Sequence, residues 1–372
     1  MKIALVHDYL TQLGGAEKVL ENLTELYPAS PVFVLVQNKG KTGLVFPPSR
    51  IRTSWLKYFP LAGKNHHWYL TLMPRATESH NLNEFQVILS SASSIAKGVR
   101  LSDDSIHICY CHTPTRYLWH DEGSYVEELQ YNKLVKKVIP LFLKRLKNWD
   151  LLASDRVDFF IANSRVVQDR IKKYYNRDST VIYPPVEIDK FHISEKPDDY
   201  FLIGGRLVAY KKYDLAIEAF NRLGIKLKIF GGGPDYKRLK KMARENIEFI
   251  GPVSDSDKAK LYSKALAFIH PQLEDFGITA IESMASGRPV IAYAAGGALE
   301  TVVSGVTGEF FDSQTWESLV HAILKFDSDK FNPADIRAHA YKFDRIRFKR
   351  EIKDYVNLAI RSYQVENVFR IK

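Results

Sequence analysis

The sequence predicts two doubly wound α/β domains, each built on a parallel sheet. At 372 residues the chain is too long for one ordinary core. Short apolar runs alternate with helical stretches along its length, as they do when parallel strands are joined by crossover helices. Pro184 and Pro185, followed by the polar stretch 194–199, interrupt this pattern near the middle and predict a linker.

The two series of elements give the expected domain limits. The first series covers residues 1–190, and its helical periodicity is clearest at 16–26 and 165–174. Its predicted strands lie at 2–6, 32–36, 87–89, 106–111, 159–162 and 181–183. The second series covers residues 191–344, and a charged helical tail follows at about 345–372. Its predicted strands lie at 200–203, 226–230, 247–250, 267–269, 289–292 and 308–311, with helices at 213–223, 235–244, 255–265 and 278–285.

The composition is that of a soluble globular protein, with 45% apolar and 26% charged residues. No apolar run reaches the 18 or so residues that a spanning helix needs. The first six residues are too short for a signal-peptide core and predict a strand. Cys109 and Cys111 lie two positions apart in a predicted strand, so they share a face and are interpreted as reduced, small apolar residues. We therefore expect a cytoplasmic protein.

The net charge of +10 suits nucleic acid, an anionic membrane surface or phosphorylated substrates. The densest basic stretch is 133–147, where lysine and arginine alternate with apolar residues. Such a helix either docks peripherally on the inner face of a membrane or presents a solvated surface, and both alternatives stay open. Pro140 should kink or split it.

Several motifs argue against other kinds of site. Leu35 stands where a phosphate loop ending in Gly40-Lys41-Thr42 needs its first glycine. Tyr236 replaces the last glycine of a dinucleotide fingerprint that begins at Gly231. Asp255-Ser256-Asp257 and Asp327-Ser328-Asp329 resemble chelating pairs, but each lies near a helix start, where these residues cap. We therefore predict no metal site and no cofactor.

The strongest candidate site lies in the second half. The segment 271–282 follows a strand and opens a helix, so the backbone N–H groups of Phe276, Gly277 and Ile278 could bind phosphate. Glu282 could accept hydrogen bonds from ribose hydroxyls, and Glu274 could reach a sugar.

A second loop follows another strand of this half. Gly204 and Gly205 let the backbone approach a ligand closely, and Arg206 and Lys211 supply positive charge beside a diphosphate. A surface loop that happens to carry cations is the alternative interpretation.

In the first half, Gly14 and Gly15 precede a helix and form either a ligand-contacting turn or an ordinary tight turn. His112 ends a strand, where ligands bind in such sheets, although a structural loop histidine is the alternative. Asn163 also ends a strand, and the pair Asn163-Ser164 could simply cap the next helix.

Taken together, these residues resemble family four of the retaining glycosyltransferases, and most closely its O-antigen-type, GDP-mannose-dependent branch. The matching segments are Gly14-Gly15-Ala16-Glu17, His112-Thr113-Pro114, Arg116-Tyr117-Leu118-Trp119, Ala162-Asn163-Ser164-Arg165, Tyr183-Pro184-Pro185-Val186, Gly205-Arg206-Leu207 with Lys211, Gly231-Gly232-Gly233-Pro234, Glu274-Asp275-Phe276-Gly277-Ile278 with Glu282, and Gly296-Gly297 with Glu300-Thr301.

The resemblance implies the GT-B fold, in which two Rossmann-like domains face each other across a cleft. The second domain would bind the nucleotide sugar, and the tail helix would cross back to the first. Arg206 and Lys211 would clamp the diphosphate, Glu274 the sugar hydroxyls and Glu282 the ribose. The implied donor site also includes Gly14, Gly15, Gly205, Phe276, Gly277 and Ile278, with the base near Val253 and Ser254.

The resemblance also implies a role for the first domain. His112 would lie beside the transferred sugar, and we expect Arg116, Tyr117 and Asn163 on the acceptor side. The implied reaction transfers mannose from GDP-mannose, with retention and without metal, to a saccharide acceptor in cell-surface polysaccharide synthesis. We expect this acceptor to be lipid-linked. A UDP-hexose such as UDP-glucose is the alternative donor.

Two other function classes compete with this interpretation. The double α/β pattern alone would suit a dinucleotide-dependent oxidoreductase, but the incomplete glycine fingerprint argues against it. The positive charge alone would suit a nucleic-acid-binding protein, but no basic stripe with interleaved aromatic residues occurs. Nucleic acid is therefore not an expected partner.

Overall fold

The computed structural model describes residues 1–119 and 133–370, with only the backbone described for residues 133–141 and 366–370. Two compact units form, unit 1 from Met1–Tyr183 with Phe348–Lys372 and unit 2 from Pro184–Arg347. Each unit contains one wholly parallel sheet, so the doubly wound two-domain fold predicted from the sequence is confirmed.

The sheet of unit 1 has the strand order β3-β2-β1-β4-β5-β6-β7. Its strands are β1 Ile3–His7, β2 Val32–Val34, β3 Ile51–Thr53, β4 Val87–Ala92, β5 Ile106–Cys111, β6 Phe159–Ala162 and β7 Ser179–Val181. The sequence pattern missed β3, because its three residues carry a single buried apolar side chain, Ile51.

Alternating side chains of unit 1 fill a core on each face of the sheet. Leu5 packs on one face, while Ala4 and Val6 pack on the other. Cys109 and Cys111 share the second face, are free of disulfide bonds and are buried, as predicted.

The helices of unit 1 cover these faces. They are α1 Gly15–Leu26, α2 Lys39–Thr42, α3 Ala62–Asn65, α4 Met73–Glu78, α5 Arg116–Trp119, α6 Lys133–Asp155 and α7 Arg165–Tyr175, with 3-10 turns at Trp55–Tyr58, His66–Tyr69 and Ala96–Gly98. The predicted split at Pro140 is wrong, because α6 runs through it as one helix. A proline removes one helical hydrogen bond, which a helix of 23 residues with packed apolar side chains can tolerate.

The sheet of unit 2 has the order β10-β9-β8-β11-β12-β13. Its strands are β8 Phe201–Gly204, β9 Leu227–Phe230, β10 Ile247–Gly251, β11 Phe268–His270, β12 Val290–Tyr293 and β13 Gly308–Phe311. The helices of unit 2 are α8 Tyr213–Leu223, α9 Tyr236–Met242, α10 Asp255–Lys264, α11 Ile278–Ala285, α12 Ala298–Thr301, α13 Trp316–Lys325 and α14 Pro333–Ala340, with 3-10 turns at Ile188–Lys190, Ala209–Lys211, Ser328–Lys330 and Tyr341–Phe343. The last helix, α15 Arg345–Arg370, belongs to unit 1 from Phe348 onward and packs in its core.

The stretch 194–199, expected to be a linker, is instead packed within unit 2. The Asp198 backbone N–H donates to the Lys264 carbonyl at 2.7 Å. The Arg288 guanidinium donates to the Ser194 carbonyl, also at 2.7 Å. These long-range contacts could not be seen in a local charge pattern, and the two units divide earlier, between Tyr183 and Pro184.

Two acidic motifs serve as helix starts, as predicted. Ser254 caps α10 by accepting from the Asp257 N–H, with Asp255 in the first turn. Asp327 accepts from the Asp329 N–H at the start of a 3-10 turn. Within the described residues, no helix is both long and apolar enough to cross a membrane.

Candidate functional site

The candidate site of unit 2 lies at the carboxyl ends of the neighbouring strands β8 and β11. The loops that follow these strands bring Lys211 and Glu274 together, with Nζ and Oε1 3.0 Å apart and the side chains 12% and 15% exposed. Burial alone would lower the pKa of Lys211, but the attraction of Glu274 outweighs it and the pKa is raised. Two residues predicted from separate motifs therefore form one ion pair.

Three buried polar atoms of this region have no hydrogen-bond partner among the described residues. They are His270 Nε2, Tyr213 OH and Thr279 Oγ1. An unpaired buried polar atom costs about 1–3 kcal/mol. Such a cluster is therefore suited to a polar ligand that supplies the missing partners. We call Lys211, Tyr213, His270, Glu274 and Thr279 the polar cradle.

Two glycines with positive φ leave room inside the polar cradle. Gly205 has φ +123°, and a methyl group there would lie 3.5 Å from Lys211 Nζ and 3.6 Å from Tyr213 OH. Gly277 has φ +92°, and a methyl group there would lie 3.1 Å from His270 Nε2. A side chain at either position would strain the backbone and crowd the polar atoms.

His270 is a neutral hydrogen-bond donor. Gln272 Nε2 donates to its Nδ1 at 3.1 Å, so the proton of the neutral ring lies on Nε2. Burial lowers the pKa of His270 to about 4, although Glu274 acts in the opposite direction. Its Nε2 lies 4.0 Å from Glu274 Oε2. Sequence reasoning missed this residue, although its place at the end of β11 was a usable signal.

The loop before α11 is held by Gly297. The Gly297 N–H donates to the Glu274 carbonyl at 2.8 Å. A methyl group at Gly297 would come within 2.5 Å of the Phe276 Cα atom, so only glycine permits this approach. Phe276 is buried, and α11 begins directly after Gly277 at Ile278. Because α11 begins beside Gly277, which contacts His270 of the polar cradle, its first N–H groups lie near the polar cradle and have no acceptor within the helix.

Glu282 of α11 forms a second ion pair of unit 2, with Lys258. Its Oε1 accepts from Lys258 Nζ at 2.7 Å and its Oε2 from the Tyr262 hydroxyl at 3.1 Å. The Lys258 N–H donates in turn to the Ser254 carbonyl at 2.9 Å. Through Lys258, the structure thus links Glu282, the residue predicted to bind ribose, to the segment after β10 that contains Val253 and Ser254. Arg206 follows Gly205 on the same turn as predicted but is exposed, unlike Lys211.

In unit 1, His112 begins the loop after β5. Its Nε2 is hydrogen-bonded to Ser91 Oγ at 2.8 Å, and His7 Nδ1 donates to the Ser91 carbonyl at 2.9 Å. Burial lowers the pKa of His112 to about 3, and repulsion from His7 adds to this, so the ring is neutral near pH 7. Hydrogen bonds therefore connect His7, Ser91 and His112 across the carboxyl ends of β1, β4 and β5.

Asp8, which sequence reasoning missed, organises the same edge. Its carboxylate accepts from the backbone N–H groups of Ser93, Ser94, Ile95 and Ala96 at 2.7 to 3.0 Å. Its place directly after β1 was the available signal. The carboxylate fixes the turn that follows β4.

Gly14 and Gly15 form the start of α1. The Gly14 N–H donates to Glu17 Oε2 at 2.9 Å, so the helix supplies its own acceptor there. Burial raises the pKa of Glu17. This arrangement favours the interpretation as a capped turn, and ligand contact at Gly14 and Gly15 stays a prediction.

The residues expected on the acceptor side lie in separate loops of unit 1. Arg116 and Tyr117 open α5, and the Tyr117 hydroxyl is hydrogen-bonded to Ser94 Oγ at 2.8 Å. Asn163 is buried after β6 and accepts from the Ser164 hydroxyl at 2.9 Å. Ser164 caps α7, as the alternative interpretation of this pair predicted.

Asp150 of α6 is a buried hub that the sequence did not reveal. One oxygen accepts from Lys97 Nζ at 2.5 Å and from the Thr115 hydroxyl at 2.9 Å. The other accepts from Trp119 Nε1 at 2.8 Å and from the Tyr175 hydroxyl at 2.6 Å. These bonds fix the loop between His112 and Trp119. No group of three or more His, Cys, Asp or Glu residues suited to a metal ion occurs in the described part of the chain.

Comparison with known proteins gives two family matches along the chain. The model of Glycosyltransferase Family 4 matches residues 13–190, and that of Glycosyl transferases group 1 matches residues 186–343.

Individual relatives and solved structures are similar over parts or all of the chain. An uncharacterized glycosyltransferase of Methanocaldococcus jannaschii is 28% identical over 46% of this chain and 50% of that protein. Alpha-1,3/1,6-mannosyltransferase ALG2 of Mus musculus is 28% identical over 57% of this chain and 59% of that protein. The chain thus spans only half to three fifths of these two relatives. The Anabaena HepE structure in complex with UDP and glucose superposes with a TM-score of 0.71 at 20% identity, over 96% of this chain and 99% of that one, which supports the fold.

Proposed function

We propose that the chain is a glycosyltransferase of the GT-B fold that transfers a hexose from a sugar nucleotide to a saccharide acceptor, and the matches to the two family models support this. The polar cradle is the observation that carries this proposal. Its buried cation, its unpaired hydroxyls and the N-terminus of α11 are the groups that a diphosphate needs.

The polar cradle would act on the leaving group. As the bond between the sugar and the diphosphate breaks, negative charge grows on the diphosphate. Lys211 and the N–H groups of α11 would stabilise that charge, with Tyr213 and Thr279 as further donors. Arg206, on the adjacent turn, would add positive charge. With cations in this role, transfer needs no metal ion.

The remaining site residues would hold the rest of the donor. Glu274 would accept from sugar hydroxyls, and His270 lies beside it as a neutral donor. Glu282 would accept hydrogen bonds from the ribose hydroxyls while it also accepts from Lys258 Nζ. Gly205, Phe276, Gly277 and Ile278 would give backbone contacts, and the base would lie near Val253 and Ser254.

We further propose GDP-mannose as the donor and retention of the anomeric configuration. The similarity to ALG2, a mannosyltransferase, supports mannose. The HepE structure holds UDP and glucose, which makes UDP-glucose the donor to test against it. The family resemblance supports a lipid-linked saccharide acceptor, with His112, Arg116, Tyr117 and Asn163 as the candidate residues of unit 1.

Turnover without added metal tests the proposal. The protein is incubated with GDP-mannose or with each UDP-hexose, with and without a lipid-linked saccharide extract, and nucleotide release is followed. We expect release of nucleotide from GDP-mannose. NMR should show that the product keeps the anomeric configuration of the donor. Turnover of a UDP-hexose alone would change the assignment of the donor but leave the assignment as a glycosyltransferase in place. Release from no sugar nucleotide, strict metal dependence or an inverted product would contradict the proposal.

A further inference from the structure

One stretch of unit 1 carries an unusual charge pattern. Residues 26–77 contain no aspartate or glutamate. The same stretch holds seven cationic residues, Lys39, Lys41, Arg50, Arg52, Lys57, Lys64 and Arg75. The stretch by itself therefore carries a charge of about +7, which favours an anionic partner.

Within this stretch, large apolar side chains are exposed beside the cations. Tyr58 is 79% exposed, Leu61 54% and Trp68 53%, with Phe59 at 38%. Lys57 and Lys64 are exposed among them. We call Lys57, Tyr58, Phe59, Leu61, Lys64 and Trp68 the basic aromatic face.

Local contacts hold the basic aromatic face in shape. The Phe59 ring lies between Trp55 and Tyr69, with ring centroids 5.5 and 5.3 Å away. The Tyr69 hydroxyl donates to the Pro60 carbonyl at 2.7 Å. The exposed side chains are therefore presented by an ordered turn.

Leu61 is in an unfavourable conformation for an exposed leucine. Its φ of +54° and ψ of 15° are left-handed, a region suited to glycine or asparagine. Strained backbone of this kind clusters at functional sites. At Leu61 the strained turn directs an apolar side chain to solvent.

The geometry points to an anionic lipid bilayer surface as the partner of the basic aromatic face. Tryptophan, tyrosine and leucine insert into the boundary between headgroups and acyl chains, while lysine pairs with anionic headgroups. The phosphates of a nucleic acid would pair with the lysines, but they would not bury the exposed Leu61 side chain.

The basic stretch 133–147 is less suited to this task. Leu143 and Leu146 of α6 are buried against Leu118, so their apolar surface is used inside unit 1. The side chains of residues 133–141 lie outside the described part of the structure. Docking through the basic aromatic face requires no sugar transfer, so it can be tested separately from the proposed function.

Vesicle co-sedimentation tests the inference with the full chain. We expect binding to phosphatidylcholine vesicles that contain phosphatidylglycerol, release by salt, and little binding to phosphatidylcholine alone. Lys57→Gln/Lys64→Gln should weaken partitioning about 30-fold. The matched control, Lys237→Gln/Lys241→Gln, removes two exposed charges from unit 2 and should bind as the wild type does.

Two further variants separate docking from folding. Leu61→Asn suits the left-handed turn, so it should keep or raise thermal stability while weakening vesicle binding. The tryptophan emission of the protein should shift to the blue on anionic vesicles, and Trp68→Phe should lose this shift while it keeps its fold.

Four results of the vesicle experiments would overturn the inference. They are absence of vesicle binding, binding that ignores lipid charge, equal loss in the unit 2 control, and loss only in Lys144→Gln/Arg145→Gln of α6. Binding of single-stranded nucleic acid more tightly than anionic vesicles would also contradict it. Sugar-nucleotide turnover is measured in parallel, so failure of the proposed function is seen independently.

Discussion

Lys211 has two competing partners, the Glu274 carboxylate and the proposed diphosphate, and this competition predicts opposite effects of two substitutions. Lys211→Met should weaken binding of GDP or UDP about 10- to 150-fold, because a hydrogen bond to a charged group contributes about 1.5–3 kcal/mol. Glu274→Gln removes the internal competitor, so nucleoside diphosphate should bind as tightly as before or more tightly. Turnover of the complete sugar nucleotide should fall in both variants.

The ion pair also predicts the stability of these variants. Breaking a buried pair costs about 3–5 kcal/mol, and because the two side chains keep 12% and 15% exposure we expect about 2–3 kcal/mol for each single substitution. Lys211→Met/Glu274→Gln should lose less than the sum of the two. All variants should stay folded.

Calorimetric titration with GDP and UDP, combined with chemical denaturation, checks both sets of values. Lys212→Met, at the next position, is the matched control and should bind as the wild type does. Wild-type affinity in Lys211→Met would refute the assignment of Lys211 to the diphosphate. Loss of nucleoside diphosphate binding in Glu274→Gln would refute the competition.

Three other predictions concern His270, Asp150 and the buried histidines. His270→Phe should reduce turnover about tenfold or more while GDP affinity stays near wild type, and its effect should shrink in the Glu274→Gln background; additive losses would contradict a role through Glu274. Asp150→Asn should cost about 3–5 kcal/mol by leaving Lys97 buried and uncompensated, and Lys97→Met should recover part of that; a loss below about 1 kcal/mol in denaturant titration would contradict it. Burial lowers the pKa of His107 and His112 to about 3 and of His80 to about 4. The free energy of unfolding should therefore be highest above pH 6.5 and should fall as the pH drops toward 4 and then 3, because the unfolded chain binds these protons more readily. In denaturation measured against pH, His80→Gln should show a smaller fall than the wild type.

The fold followed from the sequence because its strands are short apolar runs with clear breaks. The predicted limits of β5, β6 and β13 match the structure, since each is bounded by polar residues or glycine. β3 could not be predicted, because three residues with one buried side chain leave no periodic signal. The packing of 194–199 depends on Lys264 and Arg288, which are distant in sequence.

The candidate site was predictable only in part, for a similar reason. Lys211 and Glu274 belong to separate recognisable motifs, and the adjacency of β8 and β11 brings them together. Tyr213 and Thr279 resemble ordinary helix residues in the sequence, and only their unpaired buried hydroxyls reveal them. Asp150 resembles a solvated residue of a charged helix, because its partners come from three other segments.

Binding of a sugar nucleotide to the polar cradle can be measured most directly by titrating GDP-mannose and UDP-glucose, without metal, into the wild type and into Tyr213→Phe/Thr279→Val. These substitutions remove two unpaired hydroxyls and keep the side-chain volume close to the original. We predict that one of the two sugar nucleotides binds the wild type and that the double variant binds it about tenfold or more weakly, with equal or higher thermal stability in the absence of ligand. Equal affinity in the two proteins, or no binding of either sugar nucleotide to the wild type, would contradict the assignment of this site.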